Sequence, residues 1–328
     1  MTVLNDSPSS STRNRAQFIA KVVENRFLCR EHYRLTLRVP TFPPTKPGQF
    51  IQISCRDLLA DDAETAEIDW QPGARIVLHD QDLVNPTAML RRPFSLAGRL
   101  DTPDGVDLAI IHRVVGIGTN WLGSLKVGAS VGLLGPLGNA FTLPDPQQTA
   151  LLIGGGVGIP PMIYLASALS SRSAVAFSGA TTRDLLCLSI AAEPDAGGTV
   201  PKTCLHEFSS YGIPSIVTTD DGSLGFKGFI TQALEKYLAA QPQSFTPCIY
   251  TCGPELMMKR VAAIALERNI PCQIAVERAM ACGMGTCQSC CIKVKKPDPA
   301  AVPLPGKQWC YRLACTDGPV FAAKDLLW

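Results

Sequence analysis

The chain has 328 residues, 46% hydrophobic and 18% charged, with a formal net charge of +2. That length supports two or three domains with their own cores, and the near-neutral charge gives no long-range field for nucleic acid or an acidic membrane. No run of about 18 apolar residues exists to span a bilayer, so a cytoplasmic protein with neither nucleic acid nor membrane as partner is expected.

Residues 1–15 are rich in Ser, Thr and Asn and lack an apolar segment, which predicts a disordered tail and not a signal peptide. From Ala16 to Leu143, short β-like runs are punctuated by Gly and Pro: Tyr33–Val39, Gln49–Ser54, Val106–His112 and Ser130–Leu134. This pattern predicts a small antiparallel barrel or sandwich over 16–143, with the acidic, irregular stretch 56–88 inserted between strands. The character changes at Pro144-Asp145-Pro146. Strands at Ala150–Ile153, Ala174–Phe177, Ile216–Val217 and Cys248–Thr251 alternate with helices at Met162–Ser170, Phe229–Ala240 and Glu255–Arg268. Such alternation predicts a parallel sheet covered on both faces over 144–270. The segment 271–328 is too short to build a core alone and needs a staple.

Cysteine supplies it. Six of the thirteen cysteines (Cys282, Cys287, Cys290, Cys291, Cys310 and Cys315) fall in the last fifty residues. A reducing cytosol disfavours a disulfide framework, so the cluster points to metal. Cys282, Cys287 and Cys290 have the C-x4-C-x2-C spacing of plant-type 2Fe–2S ferredoxins, and Gly283 and Gly285 suit backbone wrapped tightly around a cluster. A structural zinc site is the rival, although such sites carry a second C-x2-C pair that is missing here. The last histidine is His206, so the tail offers no Cys/His set. Cys310 and Cys315 both qualify as fourth ligand by spacing.

Two glycine-rich turns suit dinucleotides. Gly154-Gly155-Gly156-Val157-Gly158-Ile159-Pro160-Pro161 follows an apolar strand and precedes a helix, where backbone N–H groups and the helix dipole favour a pyrophosphate. A purely structural turn is the alternative, because the spacing is not strict G-x-G-x-x-G. Cys252-Gly253-Pro254 ends a later strand of the same sheet and would line the same crevice, unless Cys252 simply packs. In the barrel region, Arg92-Pro93-Phe94-Ser95 combines a guanidinium for phosphate with an aromatic ring and a hydroxyl. Ile111-His112-Arg113, with Gly118 and Thr119, is a further candidate. A solvated arginine pair and a satisfied histidine are the alternatives at these two places.

R-P-F-S, G-x-G-T, G-P-L-G (Gly135–Gly138), G-G-G-x-G-x-P-P, C-G-P and the C-terminal cysteines follow the order of the ferredoxin–NADP⁺ reductase-like superfamily. Within it, Thr219-Asp220-Asp221-Gly222-Ser223, Glu277-Arg278, the cysteine block and Cys315-Thr316-Asp317-Gly318-Pro319-Val320-Phe321 closely resemble the electron-transfer subunit of class 1B dihydroorotate dehydrogenase. The resemblance covers Ala16 to Trp328. It implies an FAD-binding β-barrel, a Rossmann-like NAD domain and a small C-terminal 2Fe–2S domain over 271–328. It also implies FAD contacts from Arg92 to Ser95, Ile111 to Arg113, Gly118 and Thr119. NAD contacts would come from the glycine turn, Asp220, Asp221 and Cys252 to Pro254, and cluster ligation from Cys282, Cys287, Cys290 and Cys315. Cys315 is preferred because the family's fourth ligand directly precedes the D-G-P-V-F run.

The sequence departs from the family in its tail, the 56–88 stretch and the Pro-rich segment 296–306, and in carrying His112 where a tyrosine is common. The family implies a partner, an FMN-containing dihydroorotate dehydrogenase catalytic subunit, in a heterotetramer serving pyrimidine biosynthesis. Electrons pass from its FMN through the cluster and FAD to NAD⁺, so this chain would not act on dihydroorotate alone. The same parts serve FAD/2Fe–2S subunits of ferredoxin:NADP⁺ oxidoreductase or sulfhydrogenase type, and a non-catalytic zinc-binding or regulatory protein on a reductase fold is a third reading.

Overall fold

The computed structural model describes residues 15–57, 88–169, 172–295 and 308–328. The expected tail, the 56–88 insertion and the Pro-rich 296–306 segment therefore lie outside the described residues, apart from their end positions.

The first unit contains β1 (Ala16–Cys29), β2 (His32–Val39), β3 (Phe50–Ile53), β4 (Arg92–Ser95), β5 (Gly98–Thr102), β6 (Gly105–Arg113), the helix α1 (Ile117–Ser124) and β7 (Ser130–Leu137). Its strands form one antiparallel sheet in the order β4-β3-β7-β1-β2-β6-β5. The sheet curls until its β4 edge reaches β6, where the rings of Phe94 and His112 are 6.1 Å apart. Alternating residues such as Leu35, Leu37, Ile51, Ile53, Leu108 and Ile110 point inward and are fully buried, as period-2 strands with one covered face require. β1 is the longest strand, yet its alternation is broken by register shifts at Val22/Glu24 and Phe27/Cys29. Such bulges sharpen the curl and hide the strand from a periodicity reading.

The second unit runs through β8 (Thr149–Gly155), α2 (Ile159–Ser167), β9 (Ala174–Ala180), the single turn α3 (His206–Ser209), β10 (Ser215–Thr219), β11 (Phe226–Lys227), α4 (Ile230–Ala239), β12 (Pro247–Cys252), α5 (Glu255–Glu267) and β13 (Cys272–Ala275). The tail adds β14 (Cys291–Lys295), β15 (Trp309–Leu313), β16 (Val320–Ala322) and β17 (Leu326–Leu327). The second sheet has the order β11-β10-β9-β8-β12-β13-β16, parallel except for β16. It continues past the expected boundary at residue 270: β13 is one of its strands, and β16 returns from the tail to cover its edge. A three-stranded antiparallel sheet, β15-β14-β17, completes the tail.

The units are fastened where the site forms. The Tyr164 hydroxyl of α2 lies 2.7 Å from Thr45 Oγ1, and the Tyr250 hydroxyl donates to the Thr142 carbonyl at 2.9 Å. Asn139 spans barrel and tail, donating from Nδ2 to the carbonyls of Asp317 and Val320 and accepting from Val320 N at 2.9 Å. Each such bond contributes about 1 kcal/mol net. Together they fix the two units against each other and the tail against the barrel.

Candidate functional site

Three sites follow from this architecture. The first is a cavity of 820 Å³ at the seam where the curled sheet fails to close by hydrogen bonds between β4 and β6. Its wall includes all nine barrel residues singled out by sequence: Arg92, Pro93, Phe94 and Ser95 from β4, Ile111, His112 and Arg113 from the end of β6, and Gly118 and Thr119 from the first turn of α1.

Their roles differ in detail from the sequence reading. The Thr119 hydroxyl accepts from Val115 N at 2.9 Å and Gly116 N at 3.1 Å, and donates to the Gly116 carbonyl. It therefore shapes the turn, and the N–H groups of the first turn of α1 are what the cavity offers an anion. Gly118 is set by packing, since a Cβ there would lie 3.1 Å from the Cβ atoms of Ala88 and Cys55. His112 is 2% exposed and stacks on Tyr33 with ring centroids 5.8 Å apart. Burial pushes its pKa down to about 4, with His32 adding to the effect, so the ring is neutral. Neither ring nitrogen has a partner, and buried polar atoms left unpaired beside a cavity suit a polar ligand.

Sequence reasoning missed the opposite wall, which comes from the tail: Val276, Glu277, Arg278, Ala279, Met280 and Pro319, with Phe50 from β3. Glu277 has its carboxyl pKa raised by burial, whereas Arg278 reaches out to Glu255 Oε2 at 3.0 Å. The signal available was the E-R pair just after β13, used above only as a mark of the family.

The second site lies at the carboxyl ends of β8 and β12, which are neighbours with Gly154 opposite Cys252. β9 follows on one side of β8 and β12 lies on the other, which makes this the switch point of the sheet and the usual ligand crevice. Most of the glycines are there for packing. A Cβ on Gly158 would fall 2.2 Å from the carbonyl carbon and oxygen of Cys252, and one on Gly155 would fall 2.6 Å from Met257 Sδ. Gly156 differs: it has φ +52° and nothing within 4 Å of its Cβ position. Of the predicted nucleotide residues only Pro160 also lines the barrel cavity, where Val157 accompanies it. Gly253 and Pro254 abut Gly155, and Cys252 is 2% exposed with its thiol pKa raised by burial. Asp220 and Asp221 follow β10. Asp221 Oδ1 accepts from Ser223 N and Oγ at 3.0 and 2.7 Å, which lowers its pKa. Burial, then the Asp221 charge, raises that of Asp220.

The third site is the cysteine loop. Met284 N and Cys287 N both donate to Cys282 Sγ at 3.4 Å. Ser289 Oγ, 3.2 Å from Cys287 Sγ, is the main cause of a Cys287 pKa lowered to about 6, while burial pushes Cys315 up to about 12. Cys282 also lowers the pKa of the Cys287 thiol, and Cys290 also raises that of Cys315. Gly283 and Gly285 both have positive φ, +70° and +92°. Among the described residues no three Cys, His, Asp or Glu side chains converge on a single-ion position. Amides directed at a cysteine sulfur from a loop with two positive-φ glycines fit an iron–sulfur group. Cys310 sits in the β14–β15 hairpin opposite Val294, and Cys291 is exposed.

Comparison with known proteins agrees with this assembly. The model of the iron–sulfur cluster binding domain of dihydroorotate dehydrogenase B matches residues 277–327. The electron transfer subunit of dihydroorotate dehydrogenase B (NAD(+)) from Desulforamulus reducens is 32% identical over 243 residues, 73% of this chain and 81% of that protein. Its counterpart from Caldanaerobacter subterraneus is 29% identical over 308 residues, 94% of this chain and 97% of that one. Among solved structures, an NADH-dependent reduced ferredoxin-NADP oxidoreductase shares the fold with a TM-score of 0.66 at 24% identity, covering 94% of this chain and 90% of that one. Among the described residues no helix is long and apolar enough to cross a membrane. The chain belongs to the family of electron transfer subunits of dihydroorotate dehydrogenase B.

Proposed function

We propose that the chain carries electrons between an FMN-containing dihydroorotate dehydrogenase catalytic subunit and NAD⁺, in a cytoplasmic heterotetramer serving pyrimidine biosynthesis. One observation carries the reading: the cavity that gathers Arg92–Ser95, Ile111–Arg113, Gly118 and Thr119 is closed by Val276–Met280, the segment that leads directly into the loop of Cys282, Cys287 and Cys290. A flavin held there is adjacent to both the nucleotide crevice and the cluster.

Arg92 would fork onto an FAD phosphate, the amides at the start of α1 would receive the pyrophosphate, and Phe94, Ser95 and His112 would border the ring system. Cys282, Cys287, Cys290 and Cys315 would hold the 2Fe–2S cluster. Gly156 would give the NAD pyrophosphate its approach between β8 and β12, with Asp220 and Asp221 on its ribose side. When bound, FAD exchanges a hydride with nicotinamide and single electrons with the cluster, so the cofactors supply the redox chemistry. The chain binds them, orients them and keeps water from the seam. Met280 and Phe50 exclude solvent on the cluster side, and Glu277 sets a carboxyl on the cavity wall. The barrel would span 16–143 and the α/β unit 144–275, with the cluster unit following and lending β16 back.

Anaerobic purification with its partner tests this. FAD, iron and acid-labile sulfide are expected, together with NAD⁺ reduction that depends on dihydroorotate. Zinc in place of iron, or NAD⁺ reduction indifferent to dihydroorotate, would refute the reading.

A further inference from the structure

The strand β3 has a polar residue where its pattern leads one to expect an apolar one. Ile51 and Ile53 point into the barrel core, and Phe50 points the other way, into the cluster of side chains that contains Met280, Cys290 and Cys315. Gln52 shares the outward face with Phe50. It is 0% exposed, so the tail covers it completely. Across the β3–β4 ladder it stands opposite Pro93 of the cavity wall, with Ile53 opposite Arg92.

The amide of Gln52 faces the loop that leads to the first cluster cysteine. Nε2 donates to the carbonyls of Met280 and Ala281, each at 3.4 Å. Oε1 has no partner and packs on Gly283, where a Cβ would fall 2.6 Å from it. The orientation is fixed, because a flipped amide would set its oxygen against two carbonyl oxygens. The N–H end of the amide dipole thus grips the wall of the flavin cavity at Met280, and its oxygen end lies against the loop between Cys282 and Cys287.

We infer that Gln52 is a positioning residue which seats the cluster loop on the flavin strand and whose unpaired carbonyl oxygen holds down the reduction potential of the cluster. Reduction adds negative charge to a group already anionic, and a buried, unpaired acceptor oxygen set against Gly283, next to Cys282, opposes it. The inference rests on the 2Fe–2S reading of the tail.

The test uses the full chain in the assembly in which it is isolated, kept anaerobic, with cluster and flavin potentials followed by EPR and visible absorbance. Gln52→Met keeps the volume and removes the amide. At a fixed potential it is expected to raise the reduced-to-oxidised cluster ratio roughly tenfold, 59 mV for one electron. Gln52→Glu keeps the length and adds negative charge at the same point, and is expected to lower the ratio by about as much. The flavin potential stays within about threefold in both. Opposite signs from two substitutions at one site are not produced by loss of packing. Loss of iron with FAD retained in either variant also supports the seating role. Unchanged cluster potentials, or shifts of the same sign, overturn the inference. So does loss of both cofactors in both variants, which would show that Gln52 holds the barrel and not the loop. A parent protein without iron and sulfide would instead fail the 2Fe–2S reading itself.

Discussion

Two glycines of one turn separate packing from binding. Gly158 has ordinary right-handed backbone, φ −83°, so alanine meets no torsional cost there. Its Cβ would nevertheless fall 2.2 Å from the Cys252 carbonyl and 2.4 Å from Gly253 N. Those atoms are backbone at the end of a central strand and cannot swing aside, so the turn leading into α2 and the end of β12 must part by more than about 1 Å to reach ordinary contact. Overpacking of this kind costs about 3 kcal/mol, which for a unit of this size lowers Tm by about 10 °C. Gly156→Ala, two residues earlier, meets no atoms and carries only the left-handed penalty of φ +52°, about 1 kcal/mol. Its methyl group projects into the space assigned above to the pyrophosphate. Gly158→Ala is therefore expected to lower the melting temperature strongly. Gly156→Ala is expected to leave it nearly intact and raise KM for NADH about tenfold. Melting followed by circular dichroism, with steady-state NADH oxidation by an artificial acceptor, reads both. A Gly158→Ala protein that melts with the parent would refute the packing argument. A Gly156→Ala protein with the parental KM would refute the placement of the nucleotide.

Further expectations concern the other two sites. Cys315→Ser is expected to lose iron and sulfide while retaining FAD, whereas Cys310→Ser keeps all three; metal and flavin analysis of the two proteins decides between the cysteines. Arg92→Ala removes a charge-assisted phosphate contact of about 2 kcal/mol, so FAD affinity should fall about thirtyfold, read by flavin fluorescence on dilution. His112 has a folded pKa of about 4 against 6.5 for the free side chain. Below pH 6.5 the unfolded chain takes up a proton that the folded one refuses, so its contribution is complete above pH 6.5 and is lost as pH falls toward 4. Between pH 7 and 5 the flavin-free protein should lose about 2 kcal/mol from this residue, measured by urea unfolding, and His112→Phe should remove most of that slope. His32, whose pKa burial also lowers, accounts for a remainder.

The sequence was most legible where a residue type is demanded by chemistry or by strict period. The cysteine spacing, the R-P-F-S motif and the alternation of strands and helices after residue 144 are of that kind. Less legible was anything determined by distant partners. β1 was missed because two bulges interrupt its period, and α1 because its eight residues, with three glycines or serines among them, carry little helical pattern. Glu277 and Met280 join the cavity only because the tail folds back onto β3, a contact between residues more than two hundred positions apart. Thr119 was named among the FAD contacts, and its hydroxyl is used by its own turn. Gly155 and Gly158 follow the same logic: a motif can announce a nucleotide site while its glycines chiefly allow its turn to pack against Cys252, Gly253 and Met257.

The return of β16 to the edge of the α/β sheet has a consequence for biosynthesis. Residues 320–322 leave the ribosome after every one of the cysteines, yet they complete a sheet whose first strand was made some 170 residues before. Until they arrive, β13 presents an uncovered edge, and the Asn139 clamp on Asp317 and Val320 is unmade. The strand that covers this aggregation-prone edge follows Cys315 by only a few residues, so the cysteine segment and the edge strand are made together. A chain that lacks Val320–Ala322 should consequently be open to proteases at the β13 edge.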